Sequence, residues 1–173
     1  MKTKTILTAI TGVAIAAGLL FASADMSIAK ERRDAYSFPQ NAAYKQECSS
    51  CHFLYHPGLL PLRSWQELIN KSDKHFGENL SLEVKDKEEL LKYFTANSAD
   101  KSGAEFSRKI MGSIAVDATP VRITETSYIQ RKHRKLKKDV FARSAIKSFS
   151  NCGACHTKGT EGDFEEDNVK VPK

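Results

Sequence analysis

Two copies of the five-residue pattern Cys-x-x-Cys-His constrain this chain more than any other feature of its sequence. They read CSSCH at residues 48–52 and CGACH at residues 152–156, and together they contain all four cysteines. Residues three and four positions apart share one face of a helical turn. Each copy therefore presents two thiols and one imidazole to the same bound group.

This set of side chains is the attachment signature of c-type haem. Two disulfides, a Cys₄ zinc site or a thioredoxin-like redox motif would also use the cysteines, but none of them explains the histidines. We therefore predict two covalently attached haem c groups, with His52 and His156 as proximal iron ligands. The predicted attachment residues are Cys48, Cys51, Cys152 and Cys155.

The remaining histidines are the main candidates for the sixth ligand of each iron, because the chain has few methionines. His75 follows His52 by 23 residues, and His133 precedes His156 by 23 residues. The matched spacing predicts His75 and His133 as distal ligands. His56 is kept as an alternative ligand, mostly to the other haem, because it lies only four residues after His52.

The N-terminus reads as a signal peptide over residues 1–24. Lys2 and Lys4 precede an apolar run at 6–21, and Ala-Ser-Ala at 22–24 forms a small-residue cleavage site. This predicts export to a bacterial periplasm, with residues 25–173 as the mature protein. Retention of the segment as a membrane anchor is the alternative, although a bilayer span needs about 20 apolar residues.

The charge of the mature chain is only mildly basic. Residues 1–24 contain two lysines and no acids, so residues 25–173 carry 25 basic and 21 acidic side chains. This balance gives no reason to expect nucleic acid. One basic cluster stands out, which is either a solvated face or a docking surface for an acidic redox partner. The cluster comprises Arg131, Lys132, Arg134, Lys135, Lys137 and Lys138.

The hydrophobic spacing predicts a mainly α fold with long irregular segments, arranged around the two haem groups. A helix should run from about residue 41 into the first motif. Ser64 should open a second helix through a capping box and continue toward His75. Ser81 should begin a third helix that ends near Asn97.

The second half of the chain gives weaker signals. Residues 104–113 fit a helix or a strand, and Thr124 should cap a short helix that carries His133. A last helix should hold the motif at residues 152–156. We therefore assign residues 41–100 to the first haem and residues 120–165 to the second.

Several longer stretches between Glu47 and Phe164 resemble the dihaem cytochrome c family of small bacterial electron carriers. In the first half they are CSSCH (48–52), YHPGLLP (55–61), SW (64–65) and HFGE (75–78). In the second half they are RITET (122–126), the single residue His133, NCGACH (151–156) and GDFE (162–165). The chain departs from the family pattern at His56 and Tyr128. The resemblance implies a mostly helical or irregular fold in which two histidines bind each iron.

The resemblance also implies a role. Such a carrier accepts electrons from a membrane cytochrome b and donates them to a monohaem, oxygen-binding cytochrome c. Electron transfer needs no catalytic residue and no small-molecule substrate, so the chain is not expected to be an enzyme. A haem enzyme, or a gas or redox sensor with an open or displaceable sixth ligand, is the alternative.

Overall fold

The computed structural model describes residues 39–173, so the predicted signal peptide lies outside the described residues. This part of the chain contains no β-strand, only an isolated bridge between His75 and Glu78. Short 3₁₀ turns and irregular segments join the helices, which confirms the predicted fold class. The helices are α1 (Ala42–Cys48), α2 (Leu62–Asn70), α3 (Val84–Asn97), α4 (Glu105–Met111), α5 (Ser127–His133) and α6 (Lys138–Ala142).

Helix α1 forms as predicted and leads into the first motif. Its N-cap residue is Asn41, whose side-chain oxygen accepts a hydrogen bond of 2.7 Å from the Tyr44 backbone N–H. The helix ends at Cys48, and the chain then turns through residues 49–51. Only the first cysteine of the motif therefore lies on the helix.

An aromatic cluster where α1, α2 and α3 meet forms the main core. Trp65 of α2 stacks on Phe94 of α3 with ring centroids 4.2 Å apart and planes 5° apart. Tyr44 of α1 meets Phe94 edge to face at 5.1 Å. The Trp65 indole N–H donates to the Pro57 carbonyl at 2.8 Å, so the polar atom of this buried ring is paired.

The predicted capping box at Ser64 is wrong. Helix α2 begins two residues earlier, after Pro61, and the first-turn N–H of Leu62 donates to the Asp100 carboxylate instead. Proline suits this position because its fixed φ and missing N–H cost nothing at a helix start. Ser64 is buried inside the helix. The helix also ends at Asn70, so His75 does not lie on it.

Three other boundaries differ from the prediction. Helix α3 begins after Glu83 rather than at Ser81, and the N-cap position of α5 is Thr126 rather than Thr124, without a side-chain cap hydrogen bond. The second motif forms a 3₁₀ turn over Cys152–Ala154 instead of an α-helix. Glycine, asparagine and serine dominate residues 148–154, and all three are poor helix formers.

Residues 104–113, for which the sequence left helix and strand open, contain helix α4. None of the helices within residues 39–173 is long and apolar enough to cross a membrane.

Candidate functional site

Two cavities of similar size bring the predicted site residues together. Cavity 1 has a volume of about 580 Å³, and cavity 2 has a volume of about 520 Å³. Both sizes are typical of cofactor pockets. Cavity 1 is lined by Cys48, Cys51, His52 and His75. Cavity 2 is lined by Cys152, Cys155, His156 and His133.

The histidine pair of cavity 1 faces across the space. The rings of His52 and His75 have centroids 6.2 Å apart and planes 23° apart. His52 Nδ1 lies 2.7 Å from the Phe53 carbonyl oxygen, which leaves Nε2 to face a ligand. His75 lies in a tight turn, which is closed by two backbone hydrogen bonds of 2.8 and 3.0 Å between His75 and Glu78. Gly77 makes this turn possible with φ of 104°.

Cavity 2 repeats the pairing with a different ring orientation. The centroids of His133 and His156 lie 6.0 Å apart, but their planes cross at 73°. His133 is the last residue of α5, and its Nδ1 lies 2.9 Å from the Ile129 carbonyl oxygen one turn earlier. The rings of Phe149 and Phe164 contact His133 and His156 edge to face, at 5.2 and 5.4 Å.

These separations fit one metal ion between each pair. A metal–imidazole bond is about 2 Å long and the nitrogen lies about 1 Å from the ring centre, so two imidazoles on opposite sides of one ion have centroids roughly 6 Å apart. Both pairs meet this value. The spacing of each histidine pair therefore fits a bound haem iron, and the motif cysteines line the same cavities.

Burial favours the neutral imidazole that binds a metal. The pKa of His75 is lowered by its removal from water and by the neighbouring His52. Burial and the neighbouring His133 likewise lower the pKa of His156, although Asp163 opposes this shift. One histidine of each pair is therefore held in the form that a ligand requires.

The thiols do not fit the competing interpretations. Burial and the nearby Glu47 raise the pKa of Cys48 to about 12, and burial raises that of Cys152 to about 11. A thioredoxin-like motif needs a lowered thiol pKa. All four cysteines are unpaired, and residues 39–173 contain no group of three or more metal-ligating side chains suited to zinc.

His56 lies apart from both histidine pairs. It is only 2% exposed and is not among the residues that line either cavity. Its Nδ1 accepts a hydrogen bond of 2.9 Å from the Gly58 N–H, and its ring meets Phe106 edge to face at 5.0 Å. His56 therefore caps the 3₁₀ turn Pro57–Leu59, and the placement gives no support to an alternative ligand.

The basic cluster surrounds cavity 2. Four of its members line that cavity, together with the acidic Glu166. Lys132 forms an ion pair of 2.6 Å with Glu166, and all six cluster residues are exposed. Cavity 1 is lined instead by two acidic side chains and one basic side chain, Glu47, Glu78 and Arg122. The four basic residues at cavity 2 are Arg131, Lys132, Arg134 and Lys135.

The two cavities share wall residues to which the sequence had assigned no role in the site. Ile123 and Thr124 line both, so the assigned regions 41–100 and 120–165 interleave. Arg122 lies over the Phe76 ring, with its guanidinium carbon 4.1 Å from the centroid. Tyr55 lines cavity 1 and reaches Ser150, next to the second motif. All of these residues except Ser150 lie in the YHPGLLP, HFGE and RITET stretches that resemble the family.

A helical chain with two cavities, each holding a Cys-x-x-Cys-His motif and a facing histidine, defines a c-type cytochrome with two haem groups. A family model for dihaem cytochrome c matches residues 44–164. The chain belongs to the dihaem cytochrome c family, so it carries two haem c cofactors and has an electron-transfer role.

Solved structures of the same family resemble this chain. A diheme cytochrome c from Rhodobacter sphaeroides is 36% identical with a TM-score of 0.65, and the match covers 74% of this chain and 99% of that chain. A diheme cytochrome type c from Shewanella baltica OS155 is 31% identical with a TM-score of 0.62, covering 78% and 95% respectively. Comparison with curated proteins gives no match.

Proposed function

We propose that this protein is an exported electron carrier in which two histidines bind each haem iron. The observation that carries the proposal is the imidazole pair across each cavity, with centroids 6.2 Å apart in cavity 1 and 6.0 Å apart in cavity 2. Two strong axial ligands leave no open coordination position. The iron would then exchange electrons without binding a substrate.

The chain's own residues would attach and orient the cofactors. Each cysteine pair would bond one porphyrin covalently, and the next histidine, His52 or His156, would bind the iron from the same side. His75 and His133 would supply the remaining iron ligand at each site. The cofactor supplies a reversible one-electron change of its iron. Histidine in the sixth position should give lower reduction potentials than methionine, which raises them.

The hydrogen bonds at Nδ1 support these roles. The Phe53 carbonyl would orient His52 and the Ile129 carbonyl would orient His133, and each contact leaves Nε2 available to bind iron. A metal-binding histidine commonly donates its other N–H to a carbonyl in this way. Such fixed ligands suit electron transfer because the surroundings of the iron then change little between its two oxidation states.

Removal of one distal histidine tests the ligation. In His75→Ala and His133→Ala, one of the two irons should lose its sixth ligand and bind carbon monoxide when reduced, whereas the unaltered protein should bind none. His56→Ala is the matched control and should leave both irons closed. If either distal variant keeps two low-spin irons and binds no carbon monoxide, that assignment is refuted. Carbon monoxide binding by the unaltered protein would instead favour an enzyme or sensor.

We further propose that the basic cluster docks an acidic redox partner at cavity 2. The resemblance to the family suggests a monohaem oxygen-binding cytochrome c as acceptor and a membrane cytochrome b as donor, in a bacterial periplasm. Four exposed basic side chains at the cavity edge support this arrangement. Opposite charges accelerate encounter, and salt weakens the effect.

Charge reversal tests the docking surface. Lys135→Glu should slow electron transfer to an acidic cytochrome and reduce its dependence on salt, because the substitution reverses one charge of the attractive field. Lys92→Glu is the matched control, since Lys92 is exposed on α3 and does not line either cavity. Equal rates for the two variants would rule out docking at the basic cluster.

A further inference from the structure

A continuous line of contacts joins the two haem-binding motifs. The ring of Tyr55 lies 5.1 Å from that of His52, with planes 35° apart. The Tyr55 hydroxyl donates a hydrogen bond of 2.8 Å to the Ser150 carbonyl. The same carbonyl accepts a hydrogen bond of 3.0 Å from the Cys152 N–H. Two hydrogen bonds to one oxygen atom therefore connect a residue beside His52 with the first cysteine of the second motif.

The connection crosses the thin wall between the cavities. Ser150 lines cavity 1 and Cys152 lines cavity 2, although they are separated by only two positions. Two residues of extended chain span at most about 7 Å. Ile123 and Thr124 also line both cavities. The two cofactor sites are therefore neighbours, and Tyr55 stands at their boundary.

Close packing holds this boundary in place. Phe53 lies against the second motif so tightly that a Cβ atom added to Gly153 would be 2.8 Å from the Phe53 ring. A Cβ on Gly159 would be 2.9 Å from the same ring. The Tyr44 hydroxyl donates to the Tyr55 carbonyl at 2.7 Å and so fixes its backbone. The distance between the motifs is thus set by several independent contacts.

We propose that Tyr55 is a positioning residue for electron exchange between the two haem groups. Its hydroxyl holds the Ser150 carbonyl, through a hydrogen bond, between the two motifs. The proposal rests on the proposed function, because it requires both cofactors at their assigned motifs. One electron moves, so one iron is oxidised as the other is reduced, and Tyr55 keeps its proton. Electrons pass more readily through bonds and hydrogen bonds than across gaps, and the Ser150 carbonyl supplies the short connection.

Tyr55→Phe tests the proposal, because it removes the hydroxyl and keeps the ring on His52. Exchange NMR of the half-reduced protein, following haem methyl signals, measures the electron-exchange rate between the two sites. The rate should fall several-fold while both irons stay low-spin. Tyr93→Phe is the matched control, because the Tyr93 hydroxyl is buried, has no hydrogen-bond partner among the described residues and lies outside both cavity walls. An unchanged rate in Tyr55→Phe would overturn the proposal.

Phe53→Leu separates the hydrogen bond from simple packing. It loosens the contact with Gly153 but keeps the Tyr55 hydroxyl, so its exchange rate should fall clearly less than that of Tyr55→Phe. A fall as large as that of Tyr55→Phe would also overturn the proposal. All rates are compared on chains that carry two haem groups. Loss of the proposed function would appear separately, as an open iron in the unaltered protein.

Discussion

Cavities 1 and 2 contain the same side chains but are built differently. The wall of cavity 1 includes the aromatic cluster of Tyr44, Trp65 and Phe94, which three helices hold in place. Cavity 2 meets the main core only at Leu59, Phe106 and Ile123 and is otherwise enclosed by the short helices α5 and α6, 3₁₀ turns and the C-terminal tail. Beyond Ile123, Ile146 is the only buried apolar residue of the described chain.

The difference indicates that the two regions depend on their cofactors to different degrees. The region around cavity 1 buries an apolar core of its own, whereas the region around cavity 2 has little besides the haem to bury. A group that binds only the folded chain adds its binding free energy to folding. We therefore expect the second haem to act as the core of its region and the first haem to fill a site that is largely preformed.

Removal of each attachment pair should have the largest effect and tests this contrast. Cys152→Ala with Cys155→Ala should leave one haem per chain by mass spectrometry. Hydrogen exchange should then accelerate after residue 123, while α3 stays protected because its core is intact. Cys48→Ala with Cys51→Ala should also leave one haem but should affect α3 less than the first variant affects α5 and α6. Equal loss of protection in both regions would break the comparison.

The aromatic rings of the two regions should differ in their contribution to stability. Trp65→Ala empties a fully packed site and should cost about 3–5 kcal/mol of unfolding free energy. Phe149→Ala removes a half-buried ring beside His133 and should cost about 1–2 kcal/mol. Denaturant unfolding of the dihaem protein measures both variants. A larger loss at Phe149 would place the more important core at cavity 2.

A smaller effect is expected from Asp163, which raises the pKa of His156 against burial and His133. The pKa of His156 in the folded chain lies below the usual histidine value of about 6.5. As the pH drops below that value, the unfolded chain binds the proton first, so the folded chain becomes less stable as the pH is lowered. Asp163→Asn should lower this pKa further.

Acid titration of the low-spin absorbance measures this change. In Asp163→Asn the second haem should keep its low-spin signal to a lower pH, because protonation of His156 becomes harder. The first haem should not change, since Asp163 is not among the causes of the His75 shift. Asp167→Asn, another acidic residue of the tail, is the control. A shift to higher pH would contradict the assigned role of Asp163.

The sequence was sufficient for the features that depend on local spacing. The motif frames and the 23-residue distances named the four histidines but left open which distal histidine pairs with which haem. The structure places His75 near His52 and His133 near His156. Helix α1 followed from local signals. The family and the two haem c cofactors are confirmed by the comparisons.

Features that depend on distant contacts were missed. Ser64 looked like a helix cap, but Asp100, remote in the sequence, accepts the first-turn N–H of α2. The second motif was predicted as an α-helix, yet it forms a 3₁₀ turn against which the distant Phe53 ring packs at Gly153. No local pattern encodes these partners, because each lies more than 30 residues away or results from the packing of another segment.

Electron paramagnetic resonance of the purified, oxidised dihaem protein tests the central claim most directly. The orientation of two axial imidazoles sets the splitting of the iron d orbitals. Planes 23° apart at cavity 1 and 73° apart at cavity 2 should therefore give two low-spin signals of different anisotropy. We predict two such signals and no high-spin iron. A high-spin signal from either haem would show an open axial position and would contradict the account of a closed electron carrier.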